Sequence, residues 1–241
     1  MRVATAALIA VNVLAYLAFQ GGSPTLPAET GIEFRCNAVE YGLIPYELTH
    51  PGVQLSDPYC QATPQEAGGA HHEPRSDPGL VADAPTALTT ITSVLMHGSL
   101  LHLGLNMLFL WIFGSRLERS VGPWRLIGLY VLGAAATIAT LIALAPDLPI
   151  ATIGSSGAVA AVMGVCLVRF PRENLTFFAL PVAVLAGAWV AAQLLIAQLD
   201  LAQPVAGGGG DVAYLAQVGG LLAGAAAAWA VAARRPRLAR G

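Results

Sequence analysis

Six apolar segments constrain the fold of this chain more than any other feature of its sequence. They are predicted at Val3–Phe19, Leu88–Phe113, Leu126–Leu144, Ile150–Val168, Leu175–Leu199 and Val212–Ala233. A helix needs about 20 apolar residues to cross the hydrocarbon core of a bilayer. Only 11% of the 241 residues are charged, against about 25% in soluble domains. The sequence therefore predicts an all-α, polytopic membrane protein with six transmembrane helices.

The arginine distribution predicts the orientation of these helices. All twelve cationic residues are arginine, and they concentrate in the connections at Gly114–Arg125 and Arg169–Asn174 and in the tail. The connections at Ala145–Pro149 and Asp200–Asp211 contain none. Because short connections rich in arginine stay in the cytoplasm, both termini are expected there. We predict an integral membrane protein of a bacterial cell membrane.

The segment between the first two apolar runs differs in composition, being rich in proline, glycine and acidic residues. We predict an external loop that is partly disordered around Thr63–Pro78. A disulfide between Cys36 and Cys60 is compatible with an oxidising compartment. The predicted parts are therefore the first transmembrane helix (1–19), the external loop (20–87), the membrane core with helices two to six (88–233) and the arginine tail (234–241).

Two stripes of small residues predict a close contact between the fourth and sixth segments. Gly157, Ala161 and Gly164 recur at helical spacing in the fourth segment, and Gly220 and Gly224 recur in the sixth. Faces of this kind let helices approach closely in lipid, where burial alone provides no driving force. We therefore expect the two stripes to face each other.

Ser156 and Gln217 are predicted neighbours beside this contact. Gly154 allows a tight turn, and a helix from Ser156 to Val168 covers roughly 20 Å, less than the roughly 30 Å hydrocarbon core. Ser156 would then lie at a helix N-terminus inside the membrane. Gln217 lies three residues before Gly220, on the same helix face. A serine becomes a nucleophile only when a base removes its proton, which an amide cannot do.

Two histidines and an asparagine lie in the second apolar segment, namely His97, His102 and Asn106. Such residues are costly in lipid and are expected to face the protein interior. His102 and Asn106 share a helix face, whereas His97 would lie about 140° away on a continuous helix, which argues against a helical zinc pair. Two interpretations stay open: hydrogen bonds between helices, or donors directed at a developing oxyanion.

Together these residues resemble the rhomboid family of intramembrane serine proteases. The resemblance rests on His97, His102 and Asn106, on Gly154-Ser155-Ser156-Gly157, on Ala216–Gly224, and on Gly114–Arg125 with Glu118 and Gly122, and covers about Leu88 to Val231. It implies that Ser156 is the nucleophile, and that His102, Asn106 and the Ser156 backbone N–H stabilise the oxyanion. It also implies that His97 lies near the active-site cavity. The sequence departs from the family at Gln217, where the general-base histidine is expected.

Two functions follow from this resemblance. One is a serine endopeptidase that cleaves transmembrane protein substrates in the bilayer, with turnover strongly impaired by Gln217. The other is a pseudoprotease that binds transmembrane clients without cutting them. His102 could replace the base only by giving up its role as a donor. A third function, a small transporter, would need more ionisable groups at mid-membrane than His97 and His102. No metal, organic cofactor or nucleic-acid partner is expected.

Overall fold

The computed structural model describes residues 2–19, 32–55, 84–173, 180–198 and 210–233. Within these ranges the chain is all-helical, as predicted, with one isolated antiparallel bridge between Leu43 and Thr152. The helices are α1 (Val3–Phe19), α2 (Ile32–Tyr41), α3 (Pro45–Thr49), α4 (Thr86–Leu95), α5 (Leu100–Phe109), a π segment (Leu110–Gly114), α6 (Ser115–Val121), α7 (Pro123–Leu144), α8 (Ser156–Arg169), α9 (Val182–Gln198) and α10 (Gly210–Ala233).

Apolar helices dominate the described chain. Three helical stretches are long and apolar enough to cross a membrane, namely Leu100–Val121, Pro123–Leu144 and Val212–Ala230. Shorter apolar helices lie at Val3–Ala18, Thr86–Leu95, Ser156–Arg169 and Val182–Ala192. These helices support an integral membrane protein, and the count of six membrane crossings stays a prediction. The arginine tail and the predicted start of the fifth segment at Leu175 lie outside the described residues.

Helix α8 is the central element of the fold. Its fourteen residues begin at Ser156, as predicted, and cover about 21 Å at ~1.5 Å per residue. Every residue from Ser156 to Cys166 is buried. A helix that is apolar and buried on all sides belongs in the middle of a bundle, and α8 packs against α7, α10 and the π segment.

The predicted helix over Leu88–Phe113 is wrong as a single element. Helix α4 ends at Leu95, and helix α5 begins again at Leu100. Between them, Met96 and Ser99 have extended backbone, and the Ser99 hydroxyl accepts a hydrogen bond from the His102 N–H at 3.1 Å. Serine in this arrangement is a helix N-cap, worth about 1 kcal/mol. The interruption is therefore the capped start of a new helix.

The connection predicted at Gly114–Arg125 is largely helical. The π segment continues directly into α6, and the chain turns only at Gly122, which has φ 85°. Pro123 then begins α7 at the position where its missing N–H costs nothing. The sequence contains no helix breaker before Gly122, so the arginines of this stretch lie on a helix and not on a loop.

Part of the predicted external loop is ordered against the membrane core. The Leu43 and Thr152 backbones exchange hydrogen bonds at 2.7 and 3.1 Å, and the Thr92 hydroxyl donates to the Tyr41 carbonyl at 2.6 Å. Helices α2 and α3, which the composition did not predict, therefore lie beside α4 and the segment leading into α8. The predicted disorder at Thr63–Pro78 falls outside the described residues, and so does Cys60 of the predicted Cys36–Cys60 disulfide.

Candidate functional site

The two stripes of small residues are in contact, as predicted. A Cβ atom placed on Gly220 would overlap the carbonyl oxygen of Gly157, and one placed on Gly224 would overlap the carbonyl oxygen of Ala161. Gly164 approaches the backbone of α10 in the same way. Helices α8 and α10 therefore touch backbone to backbone, which only residues without bulky side chains allow.

A third helix completes this contact, and the sequence reasoning missed it. Gly133 of α7 lies against the Ala161 side chain, and Thr137 of α7 lies against Gly157. The Thr137 hydroxyl donates to the Gly133 carbonyl at 2.9 Å, so its polar group is satisfied within its own helix. The spacing of Gly133, Thr137 and Thr140 is itself a helical stripe, and this signal could have found the third helix.

Ser156 lies at the buried N-terminus of α8. Gly154 turns the chain into this helix with φ 130°, a backbone conformation that favours glycine. The Gly154 N–H donates to the Ser93 carbonyl at 2.8 Å, which fixes the turn against α4. Ser156 is only 5% exposed. Because the first N–H groups of a helix have no partner within it, the Ser156 N–H is available to an incoming oxygen atom.

His102 and Ser156 converge at Gly154. A Cβ atom placed on Gly154 would lie 3.0 Å from His102 Cε1, 3.4 Å from His102 Nε2 and 3.7 Å from Ser156 Oγ. The Gly98 N–H donates to His102 Nδ1 at 3.4 Å. A neutral imidazole carries its proton on the nitrogen that does not accept. His102 Nε2 is therefore the donor nitrogen of the ring, and it lies close to the turn that leads into Ser156.

His97 lies in the break between α4 and α5, not on a helix. Its ring is 5.3 Å from that of His102 in an edge-to-face arrangement. Its Nε2 lies 2.9 Å from the Ser155 hydroxyl, and its Nδ1 lies 3.1 Å from the Leu95 carbonyl oxygen. The predicted separation of the two histidines by about 140° is wrong, because the continuous helix on which it rested is interrupted.

A buried polar network extends from Ser155 towards α1. The Tyr130 hydroxyl of α7 lies near the Ser155 side chain. The Asn12 amide of α1 donates to the Tyr130 hydroxyl at 3.2 Å and to the Leu8 carbonyl at 2.8 Å. The sequence reasoning did not single out Asn12 or Tyr130. A lone asparagine in the first apolar run was the available signal, since polar residues inside membrane helices usually face other helices.

Asn106 lies one turn after His102 on α5, on the face that the spacing predicted. It is buried, and its Nδ2 donates to the His102 carbonyl at 3.0 Å. One amide hydrogen remains available, and the Oδ1 atom has no hydrogen-bond partner within the described part of the chain. A buried amide with this unused capacity can bind a polar group of a ligand.

Gln217 lies on the face of α10 that is turned towards α8. The contacts Gly157–Gly220 and Ala161–Gly224 advance in the same direction along both helices, so the helices run parallel. The preceding turn of α10, which carries Gln217, is therefore level with the chain turn at Gly154 that leads into α8. Gln217 is 8% exposed, so its amide is held inside the protein.

Comparison with known proteins gives two findings. Residues 85–234 match the family model described as the Rhomboid domain. The chain is also similar to Rhomboid protein 1, mitochondrial, from Saccharomyces cerevisiae, with 32% identity over 151 residues. This alignment covers 59% of the chain and 41% of the relative. The chain thus spans less than half of the length of that curated relative.

Proposed function

Because the chain belongs to the rhomboid family, we propose that it is an intramembrane serine endopeptidase scaffold with strongly impaired turnover, acting on transmembrane proteins. Ser156 is the nucleophile, His102 and Asn106 are the oxyanion donors, and Gln217 occupies the position of the general base. The convergence of His102 Nε2 and Ser156 Oγ at Gly154 carries this proposal.

The reaction requires Ser156 Oγ to attack a backbone carbonyl of an unwound transmembrane segment. The C–O bond to serine forms as the carbonyl becomes an oxyanion, and collapse of that intermediate breaks the C–N bond and leaves an acyl-enzyme. The His102 Nε2–H, the Asn106 amide and the Ser156 N–H are donors for the oxyanion. Donors held in place before the reaction are worth several kcal/mol in a buried site, and the positive end of the α8 dipole adds to them.

Removal of the Ser156 hydroxyl proton is the step for which this site has no evident base. A histidine base takes the proton during attack and returns it to the leaving amine, whereas the Gln217 amide can accept a hydrogen bond but cannot take up a proton at neutral pH. Loss of the base in serine proteases lowers turnover by on the order of 10⁶. Residual catalysis of about 10³–10⁴ over water comes from the oxyanion donors and binding. We therefore propose turnover close to this residual level.

The second candidate function is a pseudoprotease that binds transmembrane clients and releases them intact. The buried amide at position 217 favours it, because the same fold and contacts would then serve recognition without chemistry. Under either function the partners are transmembrane proteins within the lipid bilayer, and no metal or organic cofactor takes part.

The orientation proposed for both functions places the termini in the cytoplasm and Ser156 beneath the outer face. The described arginines near the ends of α6 and α8 support it, since Arg116, Arg119 and Arg169 would all lie on the cytoplasmic side. We propose six membrane crossings and a bacterial cell membrane. The relative is mitochondrial by its name, and its similarity supports a membrane protein without selecting the membrane.

The test is cleavage of a model transmembrane substrate in proteoliposomes by the wild type and by Gln217→His. Val218→His is the matched control, because Val218 neighbours Gln217 on α10 but is 47% exposed. We expect cleavage by Gln217→His and little or none by the wild type or Val218→His. Equal cleavage by the wild type and Gln217→His would mean that position 217 is not the base. Substrate binding by both proteins without any cleavage would favour the pseudoprotease.

A further inference from the structure

A cavity of about 440 Å³ lies at the opposite end of α8 from Ser156. It is bounded by the end of α6, the start of α7 and the ends of α8 and α10. Leu129, Leu132, Val165 and Ala228 form its apolar wall. Arg125, Arg169 and Ser120 also line it. The cavity therefore combines an apolar wall with two cationic side chains, and its volume falls within the range of about 300–1,000 Å³ that is typical of ligand sites.

The two arginines of the cavity have their charge available for a ligand. Arg169 Nη2 donates to the Ser120 hydroxyl at 3.3 Å. Within the described ranges, neither Arg125 nor Arg169 forms an ion pair with a carboxylate. The neighbouring Arg116, in contrast, makes a two-pronged pair with Glu173 at 2.6 and 2.7 Å. The cavity thus carries two positive charges that no described acid neutralises.

Two exposed tryptophans mark the level of the bilayer at which the cavity opens. Trp124 precedes Arg125 and is 83% exposed, and Trp229 follows the wall residue Ala228 and is 70% exposed. Tryptophan is enriched at the headgroup level of membranes. Arg125, Leu129 and Leu132 lie on one face of α7, so the wall extends about 10 Å from the arginine towards the hydrocarbon core at ~1.5 Å per residue.

We propose that this cavity binds one anionic phospholipid. Its phosphate lies between Arg125 and Arg169, where guanidinium groups can each donate two hydrogen bonds to phosphate oxygens. One acyl chain follows Leu129 and Leu132 into the bilayer. Basic cavities between transmembrane helices on the cytoplasmic side recognise anionic headgroups in this way. The bound lipid would bridge α7, α8 and α10, the three helices whose contact positions Ser156. The site does not depend on whether the protein cleaves peptide bonds.

Native mass spectrometry of the full chain in neutral detergent tests the proposal, with dioleoyl phosphatidylglycerol as the probe. Dioleoyl phosphatidylcholine and glycerol 1-phosphate are the comparison ligands. We expect phosphatidylglycerol to bind most tightly, Arg125→Gln and Arg169→Gln each to weaken it roughly fivefold, and the double variant to weaken it roughly 30-fold. Arg119→Gln is the matched control, because Arg119 is an exposed arginine of α6 outside the cavity wall. It should bind as the wild type does.

A second variant tests the apolar part of the cavity with both arginines in place. Leu132→Trp fills the wall and should weaken phosphatidylglycerol binding while leaving the thermal unfolding of the lipid-free protein intact, because Leu132 is 44% exposed. Unchanged binding by the double arginine variant would overturn the proposal. So would an equal loss in Arg119→Gln, which would indicate general surface attraction. Equally tight binding of glycerol 1-phosphate would mean a free phosphate site and not a lipid site.

Discussion

Substitution of Gly220 by alanine tests the contact between α8 and α10. The added Cβ atom would overlap the carbonyl oxygen of Gly157 and lie 2.6 Å from the Thr137 hydroxyl. The Gly157 oxygen belongs to the backbone of a buried helix, so no rotamer change can relieve the overlap. Helix α10 must move away from α8, and Gln217 would move with it.

The expected cost follows from two opposing effects. Overpacking of a core that cannot relax costs about 3 kcal/mol, and replacement of glycine by alanine inside a helix returns about 1 kcal/mol. We therefore expect Gly220→Ala to lower the free energy of unfolding by about 2 kcal/mol. Using the size scaling of globular proteins, this corresponds to roughly 4–8 °C in Tm.

Thermal unfolding in detergent micelles measures this change, with Gly187→Ala as the matched control. Gly187 lies within α9, and a Cβ atom added there would meet no heavy atom within 4 Å. Gly187→Ala should therefore unfold at the wild-type temperature or slightly above it. If Gly220→Ala unfolds no lower than Gly187→Ala, helices α8 and α10 do not touch at Gly220.

Three further predictions concern the turn, an ion pair and a cap. Gly154→Ala should lower the free energy of unfolding by about 2 kcal/mol, because it combines backbone strain with an unusually tight contact to the His102 ring. Gly52→Ala adds backbone strain alone, about 1 kcal/mol. Arg116 donates to Glu173 and holds the pKa of that carboxyl below its ordinary value. The Arg116–Glu173 pair therefore stabilises the fold fully at pH values above the ordinary pKa of a glutamate. This stabilisation is lost as the pH falls through the lowered pKa of Glu173. Ser99→Ala should cost about 1 kcal/mol through loss of the helix cap, and Ser99→Asp should restore it.

Thermal unfolding checks each of these predictions. Equal losses of stability in Gly154→Ala and Gly52→Ala would mean that a side chain at position 154 does not contact His102. For the ion pair, the difference in Tm between the wild type and Arg116→Gln should shrink as the pH is lowered, and a constant difference would contradict the pairing. For the cap, a Ser99→Asp variant no more stable than Ser99→Ala would mean that the hydroxyl does not start α5.

Regular features of the sequence predicted much of this fold. Helix α1 and the start of α8 agree with the structure because an apolar run and a Gly-Ser-Ser-Gly turn are local signals. The facing stripes at Gly157 and Gly220 were predictable because small residues at helical spacing have few other uses in lipid. The apolar run, the turn and each stripe by itself depend on neighbours along the chain, and the sequence therefore contains these signals.

The errors occurred where hydropathy hides local structure. An apolar run over Leu88–Phe113 looks continuous, although Gly98-Ser99 is a recognisable helix start. The stretch Gly114–Arg125 was predicted only as a connection between apolar segments, and its helix was missed although nothing there breaks a helix before Gly122. The approach of His97 to His102 depends on tertiary packing that spacing alone does not reveal. The contact of α7 with α8 was missed for another reason, because the stripe of Gly133, Thr137 and Thr140 was not recognised.

In the proposed function, Gln217 occupies the position from which a base would activate Ser156. The most direct measurement is the rate at which a serine-reactive fluorophosphonate labels Ser156 in the purified protein, compared between the wild type and Gln217→His, with Ser156→Ala as the blank. We expect slow labelling of Ser156 in the wild type and labelling faster by orders of magnitude in Gln217→His. Rapid labelling of the wild type, at the rate of the histidine variant, would contradict the assignment of the base position to residue 217.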